Sequence, residues 1–270
     1  MRKTMLILLL AGLTTPFVFG QKKENRPVSE FTGIDASSVF NISVTKGAVE
    51  SLVIEADEAL MPYVRSEVRN GVLHLYLDKE FQRGLRLRNI KWLRAYVTMK
   101  QLDKVSLSGA CSFKTQDLFS PTTFAGNCSG ASIMTVHLHT QQLNIEASGA
   151  SKIEVKAEVS DDTRVDVSGA SKVQMDLKSD QLRLNSSGVS AVRLTGSASE
   201  IKIGISGTSN VRAVDFTANS ATIESSGTSF VTIGVTETLK VNSSGASFVN
   251  YKGSPTIQVR TSGASKIRSI

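Results

Sequence analysis

Serine is the residue type in this sequence that comes closest to a catalytic pattern. It flanks a glycine in a four-residue motif, Ser-Gly-x-Ser, exemplified by Ser187-Gly188-Val189-Ser190. This motif recurs from Ser108 almost to the end of the chain, with Cys111 in place of the second serine in the first copy. A nucleophilic serine acts as one residue beside an activating base. Serines repeated at one position are instead expected to hydrogen-bond backbone groups at a turn. We therefore predict no catalytic residue, no cofactor and no enzymatic activity.

Two histidines offer the other candidate chemistry. His137 and His139 stand two residues apart, so on a strand they would share one face, with Glu158 of the following repeat beside His139. Histidine and carboxylate ligands on one face are typical of zinc sites. Because this set is small and no repeated spacing supports it, we predict no metal site.

The glycines of the serine motif recur every 18 to 21 residues, which is the mark of stacked structural repeats. The nine glycines are Gly109, Gly130, Gly149, Gly169, Gly188, Gly207, Gly227, Gly245 and Gly263.

Aliphatic residues alternate with polar ones on both sides of each glycine. Around Gly207, for example, Ile201, Ile203 and Val211 occupy positions −6, −4 and +4 when the glycine is set at zero. Such alternation indicates two short strands that flank a corner, each with one buried face. Copies stacked in parallel bury the apolar rows, and parallel crossovers are right-handed. The sequence thus predicts an all-β, right-handed parallel β-helix of about nine turns, with an antiparallel sandwich as the alternative.

The regions before the repeats differ in character. Residues 1–20 have a basic start, a short apolar run and small residues near Gly20, which together predict a secretory signal peptide. Residues 21–27 are expected to be a flexible leader, and residues 28–100 an N-terminal cap of strands with one short helix, in which Leu60, Val64 and Val68 recur every four residues. Residues 101–270 hold the repeats. No later segment is long and apolar enough to span a membrane.

Cys111 and Cys128 fall in adjacent turns around the same corner. A disulfide between them is chemically allowed in an exported protein. Buried free thiols, which pack as small apolar side chains, are the alternative.

Position +3 carries the least expected surface residues. Lys152 and Lys172 occupy it in two adjacent turns, and Phe230 and Phe248 in two others. Exposed aromatic residues beside lysines could contact a sugar or a partner protein, unless another segment covers them.

Charge gives a second candidate contact. Lysine and arginine number 31 against 24 acidic residues, for a net charge of +7, and the loop containing Arg86 and Arg88 is densely basic. This loop is either an ordinary solvated segment or a contact for an anion or a glycan. No arginine-rich tract or aromatic–basic platform accompanies it, so we predict no binding of nucleic acid.

The chain resembles the auto-transporter adhesin, head GIN domain family, which is common in Bacteroidetes. The resemblance lies in Phe31-Thr32-Gly33-Ile34, in the segment from Glu55 to Val64, and in the repeated Ser-Gly-Ala-Ser units. It implies an exported right-handed β-helix and, by the family's name, adhesion. It brings no catalytic residues.

We expect a non-enzymatic binding or adhesion module that presents rows of side chains to a glycan or a protein. Export places it in the periplasm or at the cell surface of the bacterial envelope. The alternatives are a β-helix enzyme that degrades polysaccharide, which needs a cleft of Asp, Lys and Arg across adjacent turns, and a purely structural envelope scaffold.

The first prediction concerns processing. If residues 1–20 are a signal peptide, the exported protein begins at Gln21, because cleavage follows the small residue that ends the apolar run. Intact-mass measurement of protein recovered from the envelope fraction checks this. An exported chain that still carries Met1 would contradict it.

Overall fold

The alternation on each side of the motif glycines becomes two strands in every turn of the structure, a computed structural model that describes residues 21–78 and 92–270. The chain forms a parallel β-helix of about nine turns, as predicted. The expected signal peptide and the residues Arg86 and Arg88 lie outside the described residues.

The described chain contains 21 strands. Those of the N-terminal part are β1 (Gln21–Arg26), β2 (Gly33–Ala36), β3 (Asn41–Lys46), β4 (Ser51–Asp57), β5 (Val64–Arg69), β6 (Val72–Leu77) and β7 (Leu93–Met99). Those of the repeats are β8 (Lys104–Leu107), β9 (Ser112–Phe119), β10 (Thr123–Cys128), β11 (Ile133–Thr140), β12 (Gln142–Ala147), β13 (Lys152–Val159), β14 (Asp162–Val167), β15 (Lys172–Ser186), β16 (Ala191–Ile205), β17 (Asn210–Ser225), β18 (Phe230–Ser243), β19 (Phe248–Lys252), β20 (Thr256–Thr261) and β21 (Lys266–Ser269).

The strands of the turns form two parallel walls. Strands that precede a corner glycine pair with one another and make the first wall, as β10, β12 and β14 do. Strands that follow a corner make the second wall, as β9, β11 and β13 do. In β15 to β18 one long strand serves both walls. This parallel pairing excludes the antiparallel sandwich.

The aliphatic rows fill the space between the walls. Ile201, Ile203 and Val211 are at most 1% exposed, and the equivalent residues of the neighbouring turns form a single apolar core with them. Full burial of one such side chain contributes roughly 1.5–3 kcal/mol, so the rows are the main favourable term in folding. Among the residues that the structure describes, no helix has the length and apolarity needed to cross a bilayer.

The corner glycines stack directly on one another. Gly207 has φ +70°, and a Cβ added to it would lie 2.6 Å from the carbonyl oxygen of Gly188. That oxygen accepts a hydrogen bond of 2.8 Å from the amide of Thr208. Two constraints therefore require glycine at this position: the left-handed backbone conformation and the close approach of the turn beneath.

The column of corners begins earlier than the glycine period indicates. Ser38 stands at the corner between β2 and β3 with φ +82°, and its carbonyl oxygen accepts a 2.7 Å hydrogen bond from the amide of Ala110. The strands β2 and β3 are thus a turn of the β-helix inside the predicted cap. The cap was expected to merge into the first turns, but the glycine period does not locate this one because a serine replaces the glycine.

The rest of the cap closes the N-terminal end. The chain leaves the first turn after β3 and forms β4 to β7, of which β6 pairs with β2 and β7 pairs with β3. The chain then returns past the first turn to β8 and β9, which pair with the other edges of β2 and β3. The first turn is therefore enclosed on both sides.

Two expectations for the N-terminal part are wrong. The leader is not flexible in its first six residues, because β1 (Gln21–Arg26) pairs antiparallel with β4 at the edge of the cap. Polar residues such as Lys22 and Lys23 suit an edge strand, where charged side chains face solvent and discourage further pairing.

The predicted amphipathic helix is also wrong. Its first part is a short 3₁₀ helix, Met61–Tyr63, and its second part is β5, which pairs antiparallel with β6. Asn70 and Gly71 both have positive φ, 51° and 72°, and form a tight hairpin turn between those strands. An Asn-Gly pair between two runs of apolar residues is a strong hairpin signal, and here it prevails over the four-residue spacing.

In the seven turns from Gly130 to Gly245, the second serine of the motif points into the core. Ser190 and Ser209 are at most 2% exposed and their hydroxyls lie 3.2 Å apart in adjacent turns. The Ser190 hydroxyl also lies 2.7 Å from that of Ser186 and donates to the carbonyl of Ser187 at 2.9 Å. The structural interpretation of the serines is confirmed for this inner row.

The stacked corner yields a stability prediction. Gly207→Ala should lower the free energy of unfolding by at least about 2 kcal/mol, because alanine is strained at positive φ and its Cβ meets the Gly188 carbonyl. Chemical denaturation monitored by circular dichroism measures the change.

Gly204→Ala is the matched control, three residues away in the same turn. Its Cβ would meet only the side-chain oxygen of Asn185, at 2.8 Å, and that side chain can move. The control should cost less than about 1 kcal/mol. Equal losses in the two variants would contradict the stacked-corner account.

Candidate functional site

A long groove runs along the first wall beside the corner column. It has a volume of about 910 Å³ and spans seven consecutive turns, from the Gly149 turn to the Gly263 turn. At about 4.8 Å per turn, its length is about 30 Å. The outward side chains at position −3 line it, together with the first serine of each motif, at position −1; we call it the serine groove. The −3 residues are Glu146, Asp166, Asn185, Gly204, Glu224, Asn242 and Arg260, and the serines are Ser148, Ser168, Ser187, Ser206, Ser226, Ser244 and Ser262.

The serine groove exists because small and large side chains occupy separate rows. A serine at position −1 and a glycine at the corner leave space, while the longer side chains at position −3 rise beside it. Gly204 widens the groove in one turn because it has no side chain. The hydroxyls of Ser187 and Ser206 make no hydrogen bond within the described part of the chain, so they can bond to a ligand.

The charges of the groove are mixed but mostly acidic. Asp166 accepts a hydrogen bond of 2.8 Å from Nε of Arg164 and another of 2.8 Å from the side-chain Nδ2 of Asn185, which hold its carboxylate in place. The hydrogen bond to Asp166 raises the pKa of Arg164, so this guanidinium stays charged. Glu146 and Glu224 add carboxylates, and Arg260 provides a cation at the far end.

A smaller groove continues this surface toward the cap. It has a volume of about 240 Å³ and is lined by Asp35, Ser106, Asn127 and Glu146 among others. Glu146 and Ser148 belong to both grooves. The polar surface at positions −3 and −1 therefore extends along nearly the whole first wall.

The predicted contact residues at position +3 lie on the second wall, on the other side of the corner. Phe230 and Phe248 stack on each other in adjacent turns, with ring centroids 5.1 Å apart and planes 4° from parallel. Phe230 is 43% exposed and Phe248 is half-buried, so no described segment covers the pair. Lys152 pairs with Glu154 at 2.6 Å, whereas Lys172 stands exposed in the next turn.

A cleft with charged walls lies further along the second wall. Lys156 and Asp176 are direct neighbours in adjacent turns, and Arg193 lines the cleft in the turn after them. His137 and Glu154 also line it, and its volume is about 450 Å³. This is the combination of residue types that a β-helix enzyme acting on polysaccharide would need.

The structure brings His139 beside Glu158, as the alternation indicated. Within residues 21–78 and 92–270, however, no group of three or more His, Cys, Asp or Glu side chains converges as a metal site does. The pair has too few protein ligands to hold a metal ion by itself.

Cys111 and Cys128 are buried with free thiols in this structure. Burial raises the pKa of the Cys111 thiol to about 11 and that of Cys128 to about 12. A thiol with such a pKa is protonated and unreactive at neutral pH.

The serine groove is the surface that sequence reasoning missed. The sequence pattern shows only that the serines at position −1 lie at a corner, because alternation does not show how deep a surface becomes between rows. The signal was present in the small size of residues −1 and zero beside the longer residues at −3.

The comparison with known proteins assigns the family. The family model described as "Putative auto-transporter adhesin, head GIN domain" matches residues 30–161 and 156–255, which is most of the chain. The chain belongs to this family. No curated protein sequence matches it.

Solved structures share the fold. A protein described as a "putative adhesin" from Parabacteroides merdae aligns with a TM-score of 0.72 at 18% identity, over 93% of this chain and 96% of that chain. A "putative adhesin" from Parabacteroides distasonis aligns with a TM-score of 0.68 at 19% identity, over 93% and 97%. A "putative lipid binding protein" from the same species aligns with a TM-score of 0.63 at 18% identity, over 93% and 96%.

The buried thiols give a prediction that also tests the disulfide. Native protein at pH 8 should not react with Ellman's reagent, because both thiols are protonated and enclosed. After unfolding in guanidinium without reductant, both cysteines of the chain should react. Absence of reactive thiol in the unfolded protein would show that the cysteines are bridged.

Proposed function

We propose that this protein is an exported, non-enzymatic binding and adhesion module of the bacterial cell envelope. Its β-helix is a rigid rod that presents rows of side chains to a glycan or to a protein. Membership of an adhesin family supports a binding role. The serine groove is the observation that carries the proposal.

The dimensions of the serine groove suit an extended polymer. It is open along about 30 Å and repeats a serine hydroxyl once per turn, at about 4.8 Å, which is comparable with the length of one sugar unit in an extended glycan. A compact small molecule would use only a fraction of such a groove. An extended chain can make the same contact in every turn, so modest individual contacts add along the rod.

The chemistry of the groove suits hydroxyl-rich or amide-rich ligands. Serine hydroxyls, the amides of Asn185 and Asn242, and carboxylates such as Glu224 can accept or donate hydrogen bonds to sugar hydroxyls or to a polypeptide backbone. Backbone groups of the wall strands already pair with neighbouring turns, so side chains must supply the recognition.

The proposal can be tested with substitutions that narrow the groove and leave the corner glycines unchanged. Ser187→Gln combined with Ser206→Gln places two longer side chains in the middle of the groove. A ligand found by glycan array or by pull-down from envelope extracts should then bind at least about tenfold more weakly, which corresponds to a loss of about 1.4 kcal/mol.

Val189→Gln combined with Thr208→Gln is the control. These residues directly follow the corner glycines of the same two turns, are exposed, and do not line the groove. The control should bind as the unaltered protein does. Screens that yield no ligand, or equal losses in the two double variants, would contradict the proposal.

Polysaccharide cleavage is the second candidate, and the cleft containing Lys156, Asp176 and Arg193 favours it. A carboxylate beside a lysine and an arginine could act on an acidic sugar chain. Incubation with polygalacturonate followed by a reducing-sugar assay separates the two functions. Release of reducing ends that disappears in Asp176→Asn would establish the enzyme and overturn the non-enzymatic assignment.

A further inference from the structure

We infer that the second wall carries a separate binding site for an acidic polysaccharide. The site is a strip formed by Lys172, Arg193, Arg212, Phe230, Phe248 and Lys266, which we call the basic–aromatic strip. It lies across the corner from the serine groove. Binding at the strip can therefore be tested independently of binding in the serine groove.

Uncompensated positive charge is the first observation. Arg193 and Arg212 are directly opposed in adjacent strands, an arrangement that is destabilising for like charges. Arg193 has only a 3.8 Å ion pair with the exposed Asp215. Within the described residues Lys172 and Arg212 form no ion pair. An anion bound across these residues would remove their repulsion.

The basic row of the first wall behaves differently. There Arg164 and Lys202 each pair with a carboxylate two residues away, Asp166 at 2.8 Å and Glu200 at 3.0 Å. Arg183, which lies between them, forms no ion pair within the described residues, so this row has one unpaired cation in three consecutive turns, where the strip has two. The contrast indicates that the charges of the strip are available to a partner.

The phenylalanine stack extends the positive character of the strip. Phe230 and Phe248 cover one face of each other, because their planes are 4° from parallel and their centroids 5.1 Å apart. Rings stacked along the wall direct their edges outward. The edge of an aromatic ring carries partial positive charge, so it favours contact with an anionic oxygen.

The geometry favours a sugar polymer over a nucleic acid. The strip has one residue in each of six consecutive turns, which follow one another at about 4.8 Å along the rod, and Arg193 and Arg212 lie two residues further along their strands than the others. A linear chain with negative groups at intervals along its length can reach the four cations. Duplex DNA carries one charge per about 1.7 Å on a curved surface. Single-stranded DNA binds by stacking its bases on open ring faces, and here the two rings stack on each other instead.

Binding of dextran sulfate, compared with neutral dextran of the same length, tests the inference. The protein should bind dextran sulfate and not dextran, with an affinity that falls as salt rises. Polygalacturonate, measured in parallel, distinguishes a carboxylate ligand from a sulfate ligand. Equal binding of dextran and dextran sulfate would overturn the inference.

Two variants with equal charge changes localise the site. Lys172→Gln combined with Arg212→Gln should weaken binding of dextran sulfate about tenfold. Arg183→Gln combined with Lys240→Gln removes one arginine and one lysine from the exposed face of the first wall, and should change the affinity less than about twofold. Equal losses would show general attraction to a basic protein and would overturn the site.

A third variant tests the aromatic part, and duplex DNA tests the alternative ligand. Phe230→Leu combined with Phe248→Leu keeps the charges and should weaken binding about threefold; an unchanged affinity would remove the rings from the site. Duplex DNA should compete poorly. Displacement of dextran sulfate by an equal charge concentration of DNA would identify a nucleic-acid surface instead. Thermal melts of all variants confirm that they remain folded.

Discussion

The hydrogen bond between stacked corners is the interaction on which the structure depends. In each turn the amide that follows the corner residue donates to the carbonyl of the corner beneath, at 2.7–2.8 Å from Ala110 to Ala264. The bond is possible only where the corner residue has positive φ and where no side chain intervenes. Because every turn repeats it, the column fixes the register of the strands next to the corner and hence the row to which each side chain there belongs. Further along the second wall, bulges shift the register.

A fixed register turns a short motif into continuous surfaces. Inward positions become the apolar core and the inner serine row, while outward positions become the serine groove on one wall and the basic–aromatic strip on the other. Each surface is a property of several turns, so a single substitution in one turn removes a small part of it. This distribution suits recognition of extended polymers and is unlike a catalytic site, in which a few residues converge on one point.

The sequence predicted the repeats well because their constraint is local. A glycine every 18 to 21 residues, with alternating aliphatic neighbours such as Ile201 and Ile203, is sufficient to define two strands and a corner. The N-terminal part was harder to predict. Ser38 holds a corner without glycine, and β5 is a strand because it pairs with β6, despite a spacing of apolar residues that fits a helix.

The binding surfaces were predictable only in part. Alternation placed Phe230 and Phe248 on the outward face of adjacent turns, which the structure confirms, but the parallel stacking of their rings depends on side-chain packing. The serine groove depends on the relative sizes of residues in neighbouring rows, and its extent depends on the number of turns that share them. Neither the stacking of the rings nor the shape of the groove can be obtained from the period of one repeat.

Deletion of one complete turn tests most directly whether the corner column organises the rod. Removal of residues 208–227 joins Gly207 to Thr228-Ser229 and restores the motif at the junction, since the same residue types, Thr208-Ser209, followed Gly207 before. Turns contact only their neighbours, so this protein should remain folded, with one cooperative melting transition and an unchanged circular dichroism profile. Removal of residues 208–217 breaks the register and should prevent folding of the following turns. Two deletions that are tolerated equally, or that unfold the protein equally, would contradict the account.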